Sequence, residues 1–62
     1  MNAYEVLHKQ LRVRMNDIAD TLASGACKNH EEYKRLCGVI EGLAYAERDL
    51  LDLKEAMEQN DE

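Results

Sequence analysis

The sequence predicts an all-α fold: an antiparallel two-helix hairpin that forms part of a helical oligomer or a larger assembly. Three observations lead there. The 62 residues include no proline and three glycines, and 34% are charged. That is the composition of long helices, not of a loop-rich scaffold. Two stretches carry apolar residues at spacings of three and four, as a helix with one buried face requires. The connection between them is short, and a short connection makes the helices antiparallel neighbours.

The first helix is expected from about residue 3 to residue 24. Asn2 stands three residues before Glu5, so its side chain can cap a free backbone N–H while Glu5 reaches back. Tyr4, Leu7, Leu11, Met15, Ile18 and Leu22 give the buried stripe. Gly25 follows, placed to end the helix in a left-handed conformation. The turn is expected over 25–29.

The second helix is expected from about 30 to 58, with an acidic tail over 59–62. Asn29 and Glu32 repeat the start signal. Tyr33, Leu36, Cys37, Ile40, Leu43, Ala44, Leu50, Leu51 and Met57 form its main stripe. The turn then places Leu22 near Tyr33 and Leu36, Ile18 near Cys37 and Ile40, Leu11 near Leu43 and Ala44, and Leu7 near Leu50 and Leu51. Glu5 with Lys9 and Glu31 with Arg35 have the acid-first spacing of four that supports a helix by about 0.2–0.5 kcal/mol per pair.

The segment from Gly38 to Ala46 is small or apolar almost all the way round. One helix of the same chain cannot cover so much circumference. Gly38, Gly42 and Ala46 recur every four residues, and mid-helix glycine costs about 1 kcal/mol relative to alanine. Val39 and Tyr45 lie off the main stripe. These five residues are therefore the expected partner interface, joined on the first helix by Val6 and Val13.

Composition narrows the remaining classes. The net charge is −5. Residues 1–24 balance to zero, whereas the chain from residue 31 carries ten acids against four bases. Such acidity argues against general affinity for nucleic acid or an anionic membrane. No apolar run approaches the ~20 residues of a membrane span, and residues 1–15 lack the apolar core of a signal peptide. A chain that stays in the cytoplasm where it is made is expected, with Cys27 and Cys37 as free thiols. Cys27, His30 and Cys37 have the ligand chemistry of a partial zinc site, but a fourth ligand is missing. A Cys–His nucleophile would need a water-excluding pocket that two helices cannot build. No enzyme activity, cofactor, metal or small-molecule substrate is expected. His8, Lys9, Arg12 and Arg14 form one small basic patch, and Lys28, Lys34 and Arg35 another. These make a nucleic-acid-associated subunit an alternative reading.

Residues 29–43, Asn-His-Glu-Glu-Tyr-Lys-Arg-Leu-Cys-Gly-Val-Ile-Glu-Gly-Leu, followed by Ala44, Ala46 and Glu47, resemble a pattern of small tailed-bacteriophage proteins. In these a polar turn leads into an acidic–Tyr–basic–Leu segment, then Gly-x-Ile-x-Gly-Leu and a charged, leucine-rich end. Some are encoded near virion structural genes. The resemblance implies a non-enzymatic structural or assembly component of a phage particle, located in the host cytoplasm during synthesis and then in the virion. The uncovered apolar surface of the second helix is expected to pack on copies of the same chain or on a larger phage protein. The alternative in the same setting is a regulatory binder whose acidic second helix occupies a basic site on a host protein.

Overall fold

A computed structural model describes residues 2–59, and these form two helices. The first, α1, spans Ala3–Ala23, and the second, α2, spans His30–Gln59. They pack on each other as an antiparallel hairpin. Residues 60–62 of the expected acidic tail lie outside the described residues, and Gln59 is the last residue of α2.

Each helix begins on an asparagine side chain. The Glu5 N–H donates to Asn2 Oδ1 at 2.9 Å, and the Glu32 N–H donates to Asn29 Oδ1 at 2.8 Å. Acidic residues then occupy both first turns, where the positive end of the helix dipole favours them. α1 ends in a Schellman motif. Gly25 has φ +73°, its N–H donates to the Leu22 carbonyl, and the Ala26 N–H donates to the Thr21 carbonyl. That pair of bonds satisfies carbonyls the helix would leave open, and it turns the chain back on itself.

The seam follows a heptad rhythm on both helices. On α1 it runs through Tyr4, His8, Leu11, Met15, Ile18 and Leu22, all half-buried. On α2 it runs through Leu36, Ile40, Leu43, Glu47, Leu50 and Lys54, all half-buried or buried. Strict alternation of three and four keeps one narrow strip facing the partner helix.

Several positions assigned to the buried stripe from sequence are corrected here. Leu7 is exposed, and His8 takes its place in the seam. Tyr33, Leu51 and Met57 are also exposed, as is Ala44. A single partner helix covers only the central strip, and these side chains stand on its flanks. The ion pairs differ as well. Among the described residues they join His8 and Arg12 to Glu47, and Lys54 to Glu58 at 4.0 Å. Glu5–Lys9 and Glu31–Arg35 are not among them.

The result is a slab of 51 × 19 × 12 Å. Its radius of gyration is 14.8 Å, whereas a compact domain of this length would have about 11 Å. Among the described residues, Leu50 alone of the hydrophobic side chains is buried, at 8% exposure. The turn depends on Gly25 because a side chain at φ +73° is strained whatever the space around it. Gly25→Ala is expected to lower stability by about 1–2 kcal/mol in chemical denaturation. The helicity of the folded fraction should be unchanged.

Candidate functional site

Two features of the hairpin bear on function: a polar cluster in the seam and an exposed apolar surface beside it. The cluster centres on Glu47, buried at 9% exposure. Its Oε2 lies 2.8 Å from His8 Nε2, and its Oε1 accepts from Arg12 Nη2 at 2.9 Å. Arg12 Nε also approaches Oε2, so the guanidinium grips both oxygens. Residues 35 and 39 positions away in the chain thus meet in one cluster. Bidentate geometry of this kind fixes direction as well as distance.

The hydrogen bond from His8 holds the Glu47 carboxyl below its ordinary value, and the charge and hydrogen bond of Arg12 act in the same direction. Partial burial opposes them and is outweighed. No buried side-chain polar atom among the described residues lacks a partner. The cluster also changes the meaning of the basic patch on α1. His8 and Arg12 are engaged with Glu47, which leaves Lys9 and Arg14 without an ion pair among the described residues.

The five residues expected to form the partner interface are all exposed. Tyr45 is 63% exposed and Val39 is 40% exposed. Gly38, Gly42 and Ala46 are exposed too, and a Cβ built on either glycine meets nothing within 4 Å. α1 therefore does not approach the glycines, and they are not there to admit it. At ~100° per residue the five do not share one face. Gly38 and Tyr45 point away from α1. Val39 and Ala46 stand on a flank of the seam, and Gly42 lies between the two groups.

Sequence reasoning passed over the fuller pattern on that flank. Leu36, Val39, Leu43, Ala46, Leu50, Leu53 and Met57 form an unbroken apolar heptad repeat along α2. Leu53 is 52% exposed and Met57 51%. The signal was legible as spacing, but it overlaps the seam at Leu36, Leu43 and Leu50 and so reads as part of one broad stripe. Beside it a groove between the helices is lined by Arg14, Asp17, Ile18, Val39 and Leu43.

The remaining candidates do not converge. Cys27 and Cys37 are free and half-buried. His30 stacks on Tyr33 at a ring separation of 6.3 Å. No three His, Cys, Asp or Glu side chains gather as a ligand set among the described residues. Among the described residues, no helix is long and apolar enough to cross a membrane. Comparison with known proteins finds no matching family model, no matching curated protein and no matching solved structure.

The two features generate separate predictions. Protonated Glu47 loses its ionic partners, and the unfolded chain takes up that proton more readily than the folded one. Its contribution to stability is therefore complete above the ordinary carboxylate range and is lost as pH falls through the depressed value. Thermal melts of wild type and Glu47→Leu between neutral and acid pH should show this component in the wild type only. The Leu variant should melt higher at acid pH. Gly38→Ala and Gly42→Ala should each stabilise the hairpin by about 1 kcal/mol in urea titrations, because the space is open and alanine favours the helix. A loss of stability at either position would reveal another backbone pressed against that face.

Proposed function

We propose that this chain is a non-enzymatic structural or assembly component that works by packing its helices against other protein. The observation that carries this reading is the imbalance of the surface. Nine large hydrophobic side chains are exposed among the described residues, and the buried hydrophobic core consists of Leu50. Small chains that cannot close a core by themselves gain stability from disulfides, metals or association. Here the cysteines are unpaired and no ligand cluster forms among the described residues, which favours association.

The setting we propose is a tailed-phage particle or its assembly. It rests on the resemblance of residues 29–47 to small phage proteins. The polar cluster fits the same role, since it orients one helix on the other and presents a defined surface to a partner. It also weakens the nucleic-acid alternative, because Glu47 engages two members of the α1 basic patch.

Salt dependence tests the mechanism. Purified native complexes containing this chain should survive salt on the order of 1 M, where exposed charges are screened beyond about 3 Å. Binding through the acidic face of α2 would instead weaken steeply over the same range. Salt-induced release, followed by sedimentation, would overturn the apolar-packing reading in favour of the electrostatic binder.

A further inference from the structure

We infer that the apolar heptad of α2 receives the α2 helix of a second copy of this chain, packed antiparallel. The inference deepens the packing role proposed above and rests on it. Three observations choose the surface, the occupant and the register.

The surface is chosen by continuity. Each flank of the seam offers a heptad. The flank through Tyr33, Cys37, Ile40, Ala44 and Leu51 is interrupted by Glu47, which His8 and Arg12 already hold. The other flank, through Leu36, Val39, Leu43, Ala46, Leu50 and Leu53, has no polar residue in it. Its centre lies roughly 50° around α2 from the seam, by ~100° per residue, and Leu36, Leu43 and Leu50 belong to both. A helix seated there enters the groove beside α1 and meets Arg14, Asp17 and Ile18 as well as α2.

The occupant is argued from area. The chain exposes 5009 Å² at a mass of 7.1 kDa. A compact monomer of that mass would expose about 4,100 Å². The surplus of about 900 Å² is close to the ~800 Å² that each partner contributes to a stable interface of standard size. One further copy, contributing an equal patch, accounts for it.

The register follows from size and charge. Antiparallel pairing about a twofold axis between residues 44 and 45 stacks Leu36 on the partner's Leu53, Val39 on the partner's Leu50, and Leu43 on the partner's Ala46. Every layer is apolar, and at the centre a large side chain meets a small one, as close packing requires. Asp49 then lies beside the partner's Gly42. A slip by one heptad step moves the axis to residue 48 and sets Asp49 against its own symmetry mate. Like charges in that position repel, which favours the first register over that slip.

Sedimentation equilibrium of the full chain tests the inference. The expected mass is that of two chains, each 7.1 kDa. Ala46→Arg and Leu53→Glu should each weaken dimerisation by on the order of 100-fold, since each buries a charge without a partner. Circular dichroism should show the helices retained, because both positions are exposed in the hairpin. Tyr45→Ser, on the far side of α2, should leave the dimer unchanged. In a Cys27→Ser, Cys37→Ser background, mixing Leu43→Cys chains with Ala46→Cys chains should give the mixed disulfide in preference to either self-pair. A monomer at millimolar concentration, any other stoichiometry, or a dimer indifferent to both Ala46→Arg and Leu53→Glu would overturn the inference. In those cases salt-resistant native complexes would still support the packing role with a different partner. Salt-labile complexes alongside a stable dimer would remove the role and leave the dimer.

Discussion

A slab two helices wide and one helix thick has a seam but no interior, and the exposure of its side chains follows from that geometry. Each helix can hide only the strip that faces its neighbour. Everything on the flanks meets water unless another molecule arrives. In a 12 Å-thick body the hydrophobic effect therefore acts along a line, not around a centre. Marginal stability is the expected consequence for so short a chain. The hairpin by itself leaves exposed leucines, valines and tyrosines that its seam cannot cover.

Within that seam the Glu47 cluster carries information more than energy. A leucine at position 47 would continue the apolar rhythm of Leu36, Ile40, Leu43 and Leu50. A carboxylate there binds only where His8 and Arg12 stand. Slipping one helix past the other by a turn would strand a partly buried charge, which is far more costly than losing apolar contact. Polar residues in helical seams are best attested in this capacity, as devices that select register at some expense in stability. The same cluster breaks the symmetry of α2. One flank is interrupted by an acid already committed to α1, and the other remains an unbroken apolar strip open to a partner.

The glycines are best understood through that asymmetry. In the hairpin alone Gly38 and Gly42 have no steric task, for nothing stands within reach of an added Cβ. Gly25 is different, because its left-handed conformation makes the turn. Two residues of one type thus tolerate a side chain within the isolated chain, while the third does not. The distinction comes from backbone angle and neighbours, not from residue identity.

Local chemistry was sufficient for much of this protein. Asn2 and Asn29 announce the helix starts, Gly25 announces the reversal, and apolar spacing makes both segments helical. All of these act over a few residues, so they are legible without knowing what lies across the seam. The central seam residues Leu11, Met15, Ile18, Ile40 and Leu43 were legible for the same reason. What only the tertiary structure decided is how broad apolar stripes divide between partner helix and solvent. His8 displaced Leu7, Glu47 entered the seam, and Leu51 and Met57 were left outside. A charged residue reads as surface until its partners are known, and His8 and Arg12 are more than thirty positions away from Glu47. Helical periodicity limits which residues can share a face. The angle at which a second helix meets that face is set by packing and pairing across the chain.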